Sequence, residues 1–400
     1  MRILMLIEQF ILAGAERMAL ALTQGLIDNG ATIIVSPVKP GGPLKQDFID
    51  ACLKGQDKQT YQADNQMDCK VTCPIASSKY DALAALKLSR IIKQERIDAI
   101  IIVDVLRNGV FYTGLAEVIG RVKPFTICWC HSLPSGKAGA FVGWLKRYFQ
   151  CGLLDTLVCV SAAQQQAIIK AGFDKSRVVL IPNGVDLSRF AEEKSHLPLM
   201  DRRRDHLTLP ADKKIIVQVA NMVPDKDFET LLKAIRLLRD NRSDFHLVLI
   251  GRGVDSKQMQ DTVRQLSLTE QITLAGVRDD VPEILARADM LILSSKQESF
   301  GLCVLEGMAA GLPVIVSDLP ALAELVEHGK EGFRVPPADS DALVAAIARL
   351  LDDASLRKQM GSRGREKARQ FSISQMVEGF YHLIQQRLSK RKQPDADTSY

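Results

Sequence analysis

Short apolar runs alternate along the chain with longer segments whose apolar residues recur every three or four positions. The short runs are typical of buried parallel strands. The longer segments are typical of amphipathic helices, as between residues 14 and 29, where Met18, Leu22 and Leu26 lie four apart. The alternation predicts an α/β protein with strands over 2–7, 32–35, 99–103, 126–130, 157–161, 178–181, 215–219, 245–250, 272–274, 291–293 and 314–316.

The clearest unit is the stretch 291–318, which reads as strand, loop, helix and strand. Ser299 is a suitable N-cap for a helix that begins near Phe300 and Gly301. A helix that follows a parallel strand leaves its first backbone amides free, and free amides at a helix start suit a phosphate. The amides of Gly301 and Leu302 are therefore candidates to hold phosphate.

Two carboxylates, Glu298 and Glu306, bracket this phosphate site. Eight residues of helix span roughly 12 Å, which is near the distance between the sugar and the ribose of a nucleotide-sugar. One carboxylate would accept hydrogen bonds from sugar hydroxyls and the other from ribose hydroxyls. Two glutamates at this spacing are otherwise an ordinary solvated helix face. The buried strand and the Ser-Phe-Gly helix start are what favour a site.

The letters ESFGLCVLE, followed by Gly-Leu-Pro-Val at 311–314 and Ser-Asp at 317–318, resemble the E-x7-E signature of retaining glycosyltransferases of family 4. The resemblance covers nearly the whole chain and is strong over 178–340. It implies the GT-B fold, in which two Rossmann-like doubly wound domains face each other across a cleft and a C-terminal helix crosses back to the first domain. It also implies sugar transfer from a nucleotide-sugar as co-substrate, with no metal or other cofactor.

In this family a Gly-Arg pair and a lysine contact the donor diphosphate after the first strand of the second domain. This chain has Ala220-Asn221 in place of Gly-Arg and keeps the lysine as Lys226. The resemblance therefore makes Lys226 the phosphate cation and Asn221 a neutral hydrogen-bond donor, although the residue alone would fit a surface lysine. It also directs the loop at Val277 and Arg278 towards the base.

The resemblance assigns two residues of the first domain. A glycine loop near the donor phosphates corresponds to Gly14, and a histidine that reaches the donor sugar corresponds to His131. His131 follows the strand 126–130, and open α/β sheets bind ligands at the carboxyl ends of their strands. The residues alone also fit a turn glycine and a structural histidine. The expected site thus has His131, Lys226 and Glu298 as catalytic residues and Gly14, Asn221, Val277, Arg278, Phe300, Gly301, Leu302 and Glu306 as donor-binding residues.

The turn Pro182–Asp186 resembles the interdomain turn of the family. We expect an N-terminal, acceptor-side domain over 1–181 and a donor domain over 182–370. A terminal helix over 371–388 would pack on the first domain and be followed by a frayed, flexible tail over 389–400. Residues 40–75 are polar and irregular, and they predict no clear element.

The formal net charge of +5 is mild and indicates no nucleic-acid partner, although a basic face would suit an anionic membrane. The opening MRILMLI is interrupted by Glu8, which favours a buried strand over a signal peptide, and no apolar run reaches the roughly 20 residues of a membrane span. Eight cysteines without a secretory signal predict reduced thiols and a cytoplasmic protein, with peripheral contact at the inner face of the membrane as a further expectation. Cys69 and Cys73 lack a second ligand pair for zinc.

Residues 138–150 carry an apolar stripe with the spacing of one helix face, formed by Phe141, Trp144, Leu145, Tyr148 and Phe149. Lys137, Lys146 and Arg147 lie beside it. A core or cleft-lining helix is favoured over a membrane-facing one.

The combined interpretation is a retaining hexosyltransferase that uses a UDP-sugar as first choice and a GDP-sugar as second. The acceptor would be a glycan, a lipid-linked molecule or a small molecule, in cell-envelope polysaccharide or glycolipid synthesis. Retention comes from the resemblance, because no residue stands out as a nucleophile for double displacement. Two alternatives stay open. A GT-B nucleotide-sugar epimerase would turn over donor without an acceptor, and a non-catalytic nucleotide-sugar binding protein would release no nucleotide.

Overall fold

The computed structural model describes residues 1–11, 13–53, 69–72, 74–76, 81, 83–104, 107–132, 138–190 and 207–392. Its contacts divide the chain into two compact units, one formed by Met1–Gly184 with Ile373–Tyr400 and the other by Val185–Ser372. No helix within the described ranges is both long enough and apolar enough to cross a bilayer. Within the same ranges, no three His, Cys, Asp or Glu residues are grouped so that they could hold a metal ion.

The first unit alternates strands and helices: β1 Arg2–Ile7, α1 Gly14–Asp28, β2 Thr32–Pro37, α2 Lys45–Leu53, β3 Cys69–Val71, α3 Ala84–Gln94, β4 Ala99–Val103, α4 Arg107–Gly120, β5 Phe125–Cys130, α5 Ala138–Gln150, β6 Thr156–Cys159, α6 Ala162–Lys170 and β7 Val178–Leu180. The strands form one parallel sheet in the order β3-β2-β1-β4-β5-β6-β7. The winding reverses between β1 and β4, so the carboxyl ends of these strands form a switch point, where α/β sheets bind ligands.

Both faces of this sheet are covered by helices. Leu4 and Leu6 of β1 belong to a buried apolar cluster that also contains Leu88 of α3. Met5 points to the opposite face, where the hydroxyl of Thr23 on α1 lies 3.2 Å from its sulfur. Because successive residues of a strand face opposite sides, burial on both sides explains why the strands read as continuous apolar runs.

The second unit continues the alternation: β8 Lys214–Val219, α7 Phe228–Arg239, β9 Phe245–Ile250, α8 Lys257–Gln265, β10 Ile272–Gly276, α9 Val281–Leu285, β11 Met290–Leu293, α10 Leu302–Ala309, β12 Val314–Ser317, α11 Pro320–Leu325, β13 Gly332–Val335, α12 Ser340–Asp352 and α13 Ala354–Ala368. Its parallel sheet has the order β10-β9-β8-β11-β12-β13. The switch point of this unit therefore lies between β8 and β11.

The last helix, α14 Ile373–Lys392, belongs to the first unit although it follows the second in sequence. Phe380 is fully buried, and its ring packs edge-on against Trp129 of β5 with centroids 4.8 Å apart. A Cβ on Gly25 of α1 would lie 2.4 Å from Val377, so α1 has a glycine where α14 packs against it. The helix thus closes the α1 face of the first sheet.

Several expectations need correction. The terminal helix runs to Lys392, so residues 389–392 are helical and are not part of a tail, while residues 393–400 lie outside the described ranges. Residues 40–75 contain two elements that the sequence did not predict, α2 and β3. On α2, Phe48 is buried with its ring centroid 5.2 Å from that of Phe10.

The cysteines differ in state. Cys52 is disulfide-bonded, which corrects the expectation of reduced thiols for this residue. Free thiols are present at Cys128, Cys130, Cys151, Cys159 and Cys303. Of the pair weighed as zinc ligands, Cys73 lies outside the described residues.

The stripe on α5 packs in the first unit. Leu145 and Phe149 are buried in the apolar cluster, and Trp144 and Tyr148 are partly buried against it. This agrees with the core helix that the sequence favoured. Lys137 and the side chain of Phe141 lie outside the described part.

Candidate active site

The candidate site lies at the carboxyl ends of β8 and β11, the two strands that flank the switch point of the second unit. The loop after β8 carries Asn221 and Lys226, and the loop after β11 carries Glu298 and leads into α10. Because β8 and β11 are hydrogen-bonded neighbours, the sheet brings together side chains that are 72 residues apart in sequence.

Lys226 and Glu298 form an ion pair in which the ammonium donates to Oε2 of the carboxylate. The two side chains are 23% and 13% exposed. The hydroxyl of Ser295 donates to the same oxygen at 3.4 Å. Burial lowers the pKa of Lys226, but the charge and hydrogen bond of Glu298, together with Cys303 and Asp225, raise it by more, so this pKa lies above its usual value. The lysine is therefore a cation throughout the physiological pH range.

The loop that carries Lys226 is held by a second acid. Pro224–Lys226 form a 3₁₀ turn, and Asp227, which precedes α7, has a left-handed backbone with φ of 45°. The buried carboxylate of Asp227 pairs with Lys296 at 2.9 Å and accepts a hydrogen bond from the Thr230 hydroxyl at 2.7 Å. The amide of Lys296 also donates to a carbonyl of the first loop at 2.7 Å. These bonds tie the two loops together, so the ion pair is positioned by backbone structure.

Ser294 provides a further link between the same loops. Its hydroxyl oxygen lies 3.2 Å from Oε1 of Gln218 and 3.2 and 3.3 Å from the carbonyls of Lys226 and Asp227. All three neighbours are acceptors, so the Ser294 hydroxyl serves as the donor that joins β11 to the loop after β8. Ser294, Gln218 and Asp227 were not identified from the sequence.

The start of α10 differs from the prediction. The helix begins at Leu302, its N-cap is Gly301 rather than Ser299, and no side chain caps it. Gly301 has φ of 92°, and a Cβ there would lie 2.6 Å from Cδ2 of Leu322. The amides of Leu302 and Cys303 have no hydrogen-bond partner among the described residues. Gly301 thus turns the chain so that two free amides start the helix, as a phosphate site requires.

We expect Gly301→Ala to destabilise the second unit by on the order of 1–3 kcal/mol, because alanine would be strained at this φ and would also contact Leu322. The matched control is Gly329→Ala, since Gly329 has φ of 83° but no atom within 4 Å of the added Cβ. Urea unfolding should show a larger loss for Gly301→Ala. Equal losses would mean that the contact with Leu322 has no effect.

The pKa of the Cys303 thiol shows that the charged residues of the site lie near one another. Burial raises the pKa of its thiol to about 12, with Glu298 and Glu306 adding to the rise and Lys226 opposing it. All three charges therefore lie within electrostatic reach of one sulfur. Glu306 is partly exposed on α10. The sequence did not single out Cys303, because a cysteine in an apolar helix reads as a core residue.

Asn221 ties the loop after β8 to the loop after β9. Its side-chain carbonyl accepts a hydrogen bond from the amide of Arg252 at 3.0 Å, and the amide of Met222 donates to the Arg252 carbonyl at 2.8 Å. Gly251 makes this contact feasible, because a Cβ there would lie 2.1 Å from the carbonyl oxygen of Ala220. The expected role of Asn221 as a hydrogen-bond donor to the donor substrate stays a prediction. The guanidinium of Arg252 is exposed and has no partner among the described residues.

The loop after β10 presents one apolar side chain and holds one cation. Val277 is 50% exposed. The guanidinium of Arg278 donates to both carboxylate oxygens of Asp280, from Nε at 2.7 Å. Because its guanidinium is engaged within the loop, Arg278 orders the segment next to Val277. Contact between this loop and a base stays a prediction.

Phe300 supports the helix start from the core. Its side chain is buried, and its ring packs edge-on against Phe371 with centroids 6.0 Å apart. The ring therefore packs against protein, and a part for the Phe300 backbone in donor binding stays a prediction.

In the first unit, His131 follows β5, and its ring packs on Trp129 with centroids 4.3 Å apart. Its Nε2 is buried and has no hydrogen-bond partner among the described residues. Burial lowers the pKa of His131 to about 4, although the charge of Asp104 opposes this shift. The imidazole is therefore neutral at physiological pH, and its contact with a donor sugar stays a prediction.

Asp104 was not predicted as a site residue, although it directly follows the buried strand β4. It has φ of 61°, and its carboxylate accepts hydrogen bonds from the amide of Ser132 at 3.1 Å and from the Ser132 hydroxyl at 2.8 Å. It thus fixes the residue next to His131. Gly14, the other residue expected in this unit, is the first residue of α1, and its N-cap Ala13 makes no side-chain cap.

Two protein families match the chain. The family described as Glycosyltransferase Family 4 matches residues 12–189, and the family described as Glycosyl transferases group 1 matches residues 200–367. The first match covers most of the first unit, and the second match covers most of the second unit.

Individual proteins match over different extents. An exopolysaccharide phosphotransferase of Streptomyces coelicolor is 29% identical over 244 residues, which are 60% of this chain but only 24% of that protein. The UDP-Gal:alpha-D-GlcNAc-diphosphoundecaprenol alpha-1,3-galactosyltransferase of Escherichia coli is 26% identical over 358 residues, which are 86% of this chain and 87% of that protein. The crystal structure of Anabaena HepE with UDP and glucose aligns with a TM-score of 0.77 at 18% identity and covers 96% of this chain and 99% of that one. With both family matches and this likeness in fold, the chain belongs to glycosyltransferase family 4 and has the GT-B fold.

Proposed function

We propose that the protein is a retaining hexosyltransferase, which moves a hexose-type sugar from a nucleotide-sugar to a glycan or lipid-linked acceptor. The observation that carries the proposal is the ion pair of Lys226 and Glu298 beside the free amides that start α10. Fixed cations and free helix amides at a switch point suit a diphosphate, and an adjacent carboxylate suits sugar hydroxyls.

The site would favour departure of the nucleoside diphosphate. As the glycosidic bond breaks, negative charge grows on the leaving phosphate, and Lys226 with the amides of Leu302 and Cys303 would stabilise it. Glu298 would orient the sugar through its hydroxyls. His131 is neutral, so it would contribute a hydrogen bond rather than a positive charge. Attack on the face from which the leaving group departs would retain the anomeric configuration and requires no protein nucleophile. The proposal includes no metal ion.

The donor and acceptor classes are supported by a relative that spans most of both chains. The Escherichia coli galactosyltransferase is named for UDP-galactose and for an acceptor linked to diphosphoundecaprenol. We therefore place UDP-sugars before GDP-sugars as donors for this chain. A sugar linked through a diphosphate to a polyprenol is the first acceptor to test, and synthesis of cell-envelope polysaccharide or glycolipid is the process proposed.

The test is to offer UDP-galactose, UDP-glucose and GDP-mannose, each with and without GlcNAc-diphosphoundecaprenol, and to measure nucleotide release. Transfer predicts release that depends on the acceptor, and NMR of the product should show the anomeric configuration of the donor. Conversion of the donor without acceptor would instead support the epimerase. Donor binding without release across a wider panel of acceptors would support a binding protein.

We expect Glu306→Ala to weaken the binding of UDP and of a UDP-sugar alike, because the proposed partner of Glu306 is the ribose, which both ligands contain. The loss of one charged hydrogen bond costs on the order of 1.5–3 kcal/mol. Glu298→Ala should spare UDP and impair transfer. Titration calorimetry with both ligands measures the difference, and the reverse pattern would exchange the roles of the two glutamates.

A further inference from the structure

An exposed apolar surface lies on the first unit, away from the residues assigned to the reaction. Of the nine large apolar side chains that are exposed within the described ranges, six are on or next to α3 and α4. Val118 is 63% exposed and Phe111 44%. The two helices pack side by side. We call this surface the α3–α4 face, and it is formed by Leu83, Leu86, Phe111, Leu115, Val118 and Ile119.

The solvent side of α4 carries only apolar side chains from residue 109 to residue 120, where the exposed positions are Phe111, Leu115, Val118 and Ile119. These positions are spaced as one face of a helix. The acid of this segment, Glu117, is buried, where it accepts hydrogen bonds from the Thr126 hydroxyl at 2.7 Å and from Lys123 at 2.9 Å. A surface helix normally turns its polar side to water, so this face is suited to contact with another apolar phase.

Basic side chains border the α3–α4 face. Arg90 and Lys93 are exposed on α3, and Arg121 is exposed just after α4. None of these three has a side-chain partner among the described residues. A Cβ on Gly120 would lie 3.6 Å from Cε of Lys93, so the stem of that lysine runs along the end of α4. Helix α3 contains no acidic residue, and the border is therefore positively charged.

We propose that the α3–α4 face binds the surface of an anionic lipid bilayer, with its apolar side chains in the interface and its basic border at the head groups. Apolar burial and attraction to anionic lipids together determine such binding. A second copy of the chain fits this face poorly, because both surfaces of a two-fold contact would carry the same basic border, and α3 has no acidic residue to pair with it. The proposal rests on this surface and requires neither a donor nor the transfer reaction.

The test is flotation of the full-length protein with vesicles of phosphatidylcholine alone or mixed with phosphatidylglycerol. Wild type should float with the anionic vesicles, and less so as salt is added. Each basic side chain near an anionic surface contributes about fivefold to binding. The double substitution Arg90→Glu/Lys93→Glu should therefore lower binding by at least about 25-fold. Phe111→Ser/Val118→Ser should lower it without removing charge.

The matched control is Lys358→Glu/Arg363→Glu, which makes the same change of charge at exposed positions of α13 in the second unit. It should retain binding. Both charge variants should keep the wild-type thermal unfolding temperature, since their positions are exposed, and Phe111→Ser/Val118→Ser should still unfold in one cooperative transition. Failure of wild type to float with anionic vesicles, or an equal loss in the control, would overturn the proposal. A dimer in light scattering that Phe111→Ser/Val118→Ser dissociates would assign the face to a second copy instead.

Discussion

Replacing Lys226 by alanine should lower the turnover rate by about 10²–10³-fold, the range seen when one preorganised donor to a developing charge is removed. Lys226 is the side-chain cation of the site, it is largely buried, and its raised pKa keeps it charged. Its charge counts most in the transition state, where the leaving diphosphate gains negative charge. The measurement is the turnover rate at saturating donor and acceptor.

Two companion variants make this result specific. Lys226→Arg should recover only part of the rate, because a planar guanidinium does not fit a site built for an ammonium. Asn221→Ala should raise the activation free energy of turnover by on the order of 0.5–1.5 kcal/mol, the contribution of one neutral hydrogen bond. If Lys226→Ala is near wild type while Asn221→Ala is inactive, the phosphate cation is another residue. Arg252, whose amide is bonded to Asn221, is then the first to replace.

Replacing Glu298 by glutamine should shift the alkaline limb of kcat/KM to lower pH. Burial lowers the pKa of Lys226, and in the wild type the charge of Glu298 is the largest of the effects that together raise this pKa above its usual value. Without the carboxylate charge the largest of these raising effects is lost, and the pKa of Lys226 falls. The ammonium is then lost at a lower pH as the pH rises, and activity declines with it. The profile of kcat/KM reports the free enzyme, where no diphosphate replaces the missing charge, so the shift should be smaller in kcat.

The matched control for this pH effect is Ser295→Ala. It removes the 3.4 Å hydrogen bond to Glu298 but leaves both charges of the pair in place. Its alkaline limb should coincide with that of wild type, while Glu298→Gln also loses the proposed sugar contact and so has a lower rate at every pH. Identical alkaline limbs in Glu298→Gln and wild type would show that the ion pair does not control the charge of Lys226.

The strands were predictable from the sequence because each is buried on both sides. Almost every position of such a strand is apolar, and this continuous apolar run can be recognised in a single sequence. Lys226 and Glu298 could be identified by their positions after such runs and by the family resemblance. Their ion pair could not, because it depends on β8 and β11 being neighbours, and periodicity contains no information on strand order. The roles of Asp227 and Ser294 in joining the two loops could not be predicted for the same reason.

The predicted N-cap of α10 was wrong. Ser299 has a good capping side chain, but the left-handed backbone of Gly301 sets the helix start instead. Sequence patterns also could not predict which apolar helix surfaces are exposed. The stripe on α5 and the α3–α4 face are both apolar helix surfaces, and the structure buries the first while it leaves the second open.

The position of α14 has a consequence for the order in which the two units mature during synthesis. Domains usually fold one after another from the N-terminus as the chain emerges. Here the first unit lacks one of its covering helices until the second unit has been made, since α14 begins at Ile373, after Ser372 ends the second unit. At ordinary rates of translation the ribosome needs roughly 10–40 s to pass from Gly184 to that point. Throughout that interval Trp129 has no Phe380 to pack against. The N-terminal sheet therefore waits with its α1 face only partly covered, and the C-terminal unit is the first that can be completed.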